Sequence, residues 1–170
     1  RETLPYKRGD ILDRDGNTLA TSQKMYTLVL EPKNILRSEE VQKATIDALH
    51  KYMKLDEDKL LKFIKRHKDS YYSVYREELS YSQIADLKDF IASDKAENVS
   101  GIVFNEKYKR RYPNQSLASQ VIGFVSDGTI GTGGIEQYYN STLSGVDGRK
   151  YKYLNEELEQ DSSCLLYTSP

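Results

Sequence analysis

The feature that most constrains this chain is a hydrophobic period that changes repeatedly along its length. Residues 8–30 and 99–108 have extended character, with Tyr26-Thr27-Leu28-Val29-Leu30 and Val103-Phe104 as their strongest runs. Between them lie helical stripes. From Ser38, residues Val41, Ala44, Ala48, Leu49 and Tyr52 share one face, with Ser38 as N-cap and Glu39 and Glu40 in the first turn. Asp56 caps a second helix that buries Leu60, Leu61, Phe63 and Ile64. Residues 71–77 read as a strand, and Ser80 with Gln83 has capping-box spacing ahead of Ile84, Leu87 and Ile91. Asp15-Gly16 sits between two extended stretches as a hairpin turn, and Pro32 stops the strand before it. Glycines 128, 131, 133 and 134 mark a flexible loop ahead of a helix over 135–143. Strands and helices mix without strict βαβ repetition or an internal repeat, which predicts an α+β fold.

Charge removes one class of partner. Lys and Arg number 25 against 26 Asp and Glu, so a net charge of -1 supplies no basic field for nucleic acid. Mean hydropathy is -0.71, and no apolar run approaches the ~18 residues that cross a bilayer. The chain opens at Arg1 without a signal-like segment, so its natural start is expected upstream. The single Cys164 has no disulfide partner, and His50 and His67 have no companions at metal-ligand spacing, so neither metal nor cofactor is expected. Residues 161–170 depart from the Lys and Glu usage before them and resemble translated adapter sequence; they are expected to be foreign to the fold.

Three clusters carry candidate site residues. The first, RGDILDRDGNTLA over 8–20, contains Arg8, Gly9, Asp13, Arg14 and Gly16. Its plain reading is a charged β-hairpin with a good turn; the sharper one is a fixed ion-pair lattice of Arg8, Asp13 and Arg14 beside the turn. The second, RRYPNQSLASQVIGF over 110–124, contains Arg110, Arg111, Tyr112, Pro113 and Gly123. An exposed arginine pair in a loop is its plain reading, and a bidentate grip on an anion its sharper one. The third, GTGGIEQYYNSTLSGVDG over 131–148, contains Gly134, Glu136, Tyr139 and Gly145. It lacks the spacing of either phosphate-binding glycine motif, so its glycines are read as sites of close approach that place Glu136 at a helix start.

Together and in order, the three clusters resemble the motifs of the N-terminal dimerisation or pedestal domain of class B penicillin-binding proteins. The first matches R-G-x-I-x-D-R-[ND]-G-x-x-L-A throughout. The second matches R-x-Y-P-x-G-x-x-A at Arg110, Tyr112, Pro113 and Ala118, with Gln115 where glycine is usual, and the [IVL]-G pair follows at Ile122 and Gly123. The third matches G-x-x-G-[IL]-E-x-x-[YF]-[ND]-x-x-L-x-G-x-x-G at Gly131, Gly134, Ile135, Glu136, Tyr139, Asn140, Leu143, Gly145 and Gly148.

The resemblance implies an elongated α+β pedestal over 1–160, with a helical head insertion at about 33–105. Its parent would be a membrane-anchored D,D-transpeptidase on the extracytoplasmic face, acting through an acyl-serine. This chain contains no S-x-x-K, S-x-N or K-T-G, so it is expected to position that chemistry and not perform it. Implied partners are the C-terminal transpeptidase domain, a polytopic glycan-polymerising membrane protein or other wall-synthesis proteins, and a second copy in a homodimer. The clusters are expected to meet in one joint, with Glu136 and Asp13 paired to Arg8, Arg14 or Arg111. Two other readings stay open: a stand-alone interaction or peptide-binding module, and a glycan hydrolase pairing Glu136 with Asp127 or Asp147.

Overall fold

The computed structural model describes residues 2–113, 121–126, 129–151 and 165–167. Two compact units divide the chain: residues 25–107 form one, and the segments before and after them form the other.

The 25–107 unit is built on local signals that the chain follows closely. Helix α1 spans Pro32–Ile35, α2 Glu39–Met53, α3 Glu57–Arg66 and α4 Tyr81–Ile91. Pro32 occupies the first turn of α1, where its missing N–H costs nothing. Ser38 Oγ accepts from Val41 N at 3.2 Å and Asp56 Oδ1 from Lys59 N at 2.8 Å, so two helix starts have the caps expected of them. At α4, Ser80 N donates to Gln83 Oε1 at 2.8 Å. The buried face of α2 is Val41, Thr45, Ile46, Ala48 and Leu49, shifted from the expected stripe: Ala44 and Tyr52 are only half-buried, and a polar residue takes part. Thr45 is tolerated there because its Oγ1 donates to Ser100 O at 3.1 Å and accepts from Ser100 N at 3.2 Å.

Against these helices lies a sheet. It is made by β3, Thr18–Leu30, from Met25 onward, with β4, Ser73–Leu79, and β5, Ile102–Arg111, each pairing to β3; β2, Ile11–Leu12, belongs to the other unit. The fourth strand starts two residues later than expected. Ser70 Oγ accepts from Tyr72 N at 3.1 Å and donates to Tyr72 O at 2.8 Å, so local bonds hold that backbone in a turn. Leu28, Leu30, Ile35, Leu49, Leu60, Ile64, Ile84 and Leu87 are fully buried together as the core of this unit.

The other unit is a set of short elements. Strand β1 is Glu2–Leu4, β6 Phe124–Ser126, β7 Ile130–Thr132, β8 Gly148–Tyr151 and β9 Leu165–Tyr167; helices α5 and α6 are Gly134–Tyr138 and Asn140–Leu143. Strands β2 and β3 are antiparallel, Ile11 opposite Ala20, as the Asp-Gly turn predicts. Two expectations are corrected. Gly131 is not in a loop but in β7, which pairs with β6 as a hairpin. The 135–143 helix is two helices, broken at Tyr139, which turns from φ -97°, ψ 21° into the start of α6.

Of the 161–170 tail, Leu165–Tyr167 pair with β8 through backbone groups, which any sequence supplies. Gln115, Ala118, Asp127 and Cys164 lie outside the described residues. Among the described residues, the apolar cluster of this unit is Ile11, Ala20 and Ile122, with Leu19, Tyr112, Ile135 and Leu143 packed on it.

A buried two-arginine, one-carboxylate cluster

Beside this apolar cluster, the sequence motifs supply a polar fastening. Glu136, in the first turn of α5, has no exposed surface. Arg8 Nε donates to its Oε2 at 2.8 Å and Arg110 Nε to its Oε1 at 2.7 Å. Tyr112 adds its hydroxyl to Oε1 at 3.2 Å. Isolated, a buried carboxylate would be costly; here each oxygen holds a charge-assisted bond.

The guanidiniums are themselves held. Arg8 Nη1 donates to Thr129 O at 3.1 Å, Asn140 Oδ1 at 2.9 Å and Ser144 Oγ at 2.9 Å, and its Nη2 to Glu136 O at 2.9 Å. Arg110 Nη1 reaches Gly9 O at 2.7 Å and Ser22 Oγ at 3.0 Å. Arg110 Nη2 is buried without a hydrogen-bond partner among the described residues. Two cations share one anion, so the cluster carries a surplus positive charge in a low-dielectric setting. Burial pushes the Tyr112 hydroxyl up to about 12, and the adjacent Glu136 carboxylate adds to the effect.

Two glycines make the approach of the elements possible. A Cβ on Gly131 would lie 2.0 Å from Glu136 O and 2.9 Å from Arg8 Nη2. One on Gly134 would lie 2.2 Å from Val121 O, and its φ of 51° disfavours other residues. Gly9 N bonds Leu143 O at 2.8 Å, and Gly145 rests on the Tyr6 ring.

Some motif residues take no part. Asp13 is not paired to an arginine: its Oδ1 accepts from Asp15 N at 2.9 Å and Asn17 N at 2.8 Å, and its Oδ2 from Asn17 Nδ2, so it builds the hairpin turn. Those bonds, that of the Asn17 side chain first, hold its carboxyl below the usual range. Arg14 is exposed, 3.9 Å from Asp15, and Gly16 shapes the same turn at φ 84°. Arg111 is exposed and bonds Gln23 Oε1 at 3.1 Å. Pro113 ends β5, Gly123 precedes β6 at φ 78°, and Tyr139 is an exposed ring edge-on to Tyr138.

The plain reading of Arg110 as half of an exposed arginine pair is therefore corrected: Arg110, like Arg8, is nine-tenths or more buried. The hydrolase reading is corrected too. A carboxylate with no accessible surface and two guanidiniums on it cannot reach a glycosidic oxygen, and Asp147 Oδ1 is occupied by Tyr6 N at 3.0 Å. Asn140, Ser144 and Ser22 complete the cluster. Asn140 had a signal, as an [ND] position of the third motif; Ser22 had none.

Residues 3–162 match the Penicillin-binding Protein dimerisation domain. The chain belongs to this family. Among curated relatives of this dimerisation domain, the peptidoglycan D,D-transpeptidase FtsI of Buchnera aphidicola subsp. Schizaphis graminum is 28% identical over 145 residues, covering 85% of this chain and 24% of that protein. Stage V sporulation protein D of Bacillus subtilis is 29% identical over 152 residues, covering 85% and 21%. The chain thus spans about a quarter of the length of these relatives. In fold it is similar to penicillin-binding protein 2X of Streptococcus thermophilus, with a TM-score of 0.71, 24% identity, and 99% of this chain and 27% of that one covered. It is similar also to a structure of the complex between PBP2 and MreC from Helicobacter pylori, with a TM-score of 0.57, 22% identity, and 98% and 33% covered.

Proposed function

We propose that this dimerisation domain is a non-catalytic, extracytoplasmic pedestal of a membrane-anchored peptidoglycan D,D-transpeptidase. It positions the transpeptidase domain of its parent chain and offers surfaces to wall-synthesis partners, among them a polytopic glycan-polymerising protein. The observation that carries this reading is the sealed cluster itself. Arg8, Arg110 and Glu136 come from three distant segments and lock together with no reactive group facing solvent, which suits a rigid support and not a reaction centre. The named activity of the FtsI relative supports the parent's chemistry, and the PBP2 complex with MreC supports partner contact.

The test is to express the whole reading frame that contains this chain beside the chain alone and expose each to a fluorescent penicillin. The parent is expected to be acylated and the chain to stay dark. Labelling of the chain alone, or a reading frame that closes without a transpeptidase domain, would sink the proposal.

A further inference from the structure

A ribbon of two three-residue strands is too small to be stable by itself, yet β6 and β7 are fixed at several points. Gly131 N donates to Asn140 Oδ1 at 2.9 Å, and Thr129 O at the turn accepts from Arg8 Nη1 at 3.1 Å. The inner face, where Gly131 is buried, lies directly on the Glu136 backbone. Register sets the outer face. Phe124 is opposite Thr132 and Ser126 opposite Ile130, so Phe124, Ser126, Ile130 and Thr132 point the same way, outward. Phe124 is 58% exposed and Ile130 61%.

We infer that this outer face of the β6–β7 hairpin, carrying Phe124 and Ile130, is the seat on which the following domain of the parent protein docks. The inference rests on the pedestal reading. Two observations select that occupant. The relatives are about four times as long as the stretch this chain matches, so most of their length lies outside it. The face holds no charged residue, whereas a seat on an anionic membrane would need Lys or Arg. An uncharged pair of large apolar side chains on a rigidly held ribbon fits a contact that stays covered.

Amide exchange over residues 124–132 tests it, compared between this chain and the full reading frame. Protection of the hairpin is expected to rise about tenfold or more in the parent and to fall back in the parent carrying Phe124→Ser and Ile130→Ser. The same double variant in this chain alone should keep its melting temperature, since the side chains replaced are exposed. Equal protection with and without the following domain would overturn the inference. So would protection that rises with the concentration of this chain alone, or on anionic vesicles, which would assign the face to a second copy or to a membrane. If the reading frame has no following domain, the pedestal reading itself fails. If the parent takes up penicillin but its hairpin is unprotected, only the docking seat fails.

Discussion

Arg8 Nε and Glu136 Oε2 meet at 2.8 Å across 128 residues of sequence, with side-chain exposures of 1% and 0%. Removal of the shared carboxylate leaves two buried guanidiniums without their common anion. Glu136→Ala is expected to cost about 3–5 kcal/mol of stability, read by urea unfolding. Arg110→Met removes the surplus charge and leaves the Arg8–Glu136 pair in place, so its loss should be clearly smaller. Equal losses would show that net charge does not govern the cluster.

Close packing at Gly131 makes a second prediction. Gly131→Ala puts a methyl group 2.0 Å from a carbonyl oxygen that is itself fixed by Arg8, and backbone cannot yield as a side-chain tip does. A loss of about 3 kcal/mol is expected, visible as a lower melting temperature. An unchanged melting temperature would mean that the hairpin and α5 can separate freely.

Tyr112 gives the cluster a pH signature. Its hydroxyl is raised to about 12, so the neutral form is favoured in the fold. Its contribution is full below pH ~10, where unfolded tyrosine is still protonated, and is lost as pH rises towards about 12. Tyr112→Phe removes the bond to Glu136 and the titration with it. The stability gap between wild type and Tyr112→Phe, followed by melting temperature, should therefore narrow from pH 10 upward. A gap independent of pH would contradict the geometry.

Helix caps give the fourth prediction. Ser38→Ala and Asp56→Ala each remove an acceptor from a first-turn N–H, at a cost of about 1 kcal/mol apiece. The helices are different and share no capping bond, so the double variant should lose roughly the sum in chemical denaturation.

The parts of the fold that were legible in sequence are those governed by neighbours in the chain. Ser38, Asp56, Ser80 with Gln83, and Asp15-Gly16 act within a few residues, and each does what its spacing predicts. The cluster was legible as a set of residues but not as a set of bonds. Arg110 and Arg111 are adjacent, and only the side to which β5 alternates decides which is buried. That strand runs to Arg111, three residues beyond the end its β-forming run predicts, so its alternation covers the arginine pair. Asp13 was expected to seek an arginine, but three N–H donors of its own turn satisfy it first. The break at Tyr139 follows no local signal; it accompanies an Asn140 side chain bonded to Arg8 and Gly131, contacts that no window of sequence contains.

The division of the chain has a consequence for the order in which it folds. Met25–Lys107 is continuous and can close its apolar core as soon as it is synthesised, whereas the remaining unit is cut in two by that insertion. Arg8 emerges early and must wait for Glu136, with the loop between them shortened only once the insertion has collapsed. The buried cluster is thus expected to form last: a clasp whose N-terminal arm is open to proteases or chaperones until Glu136 arrives.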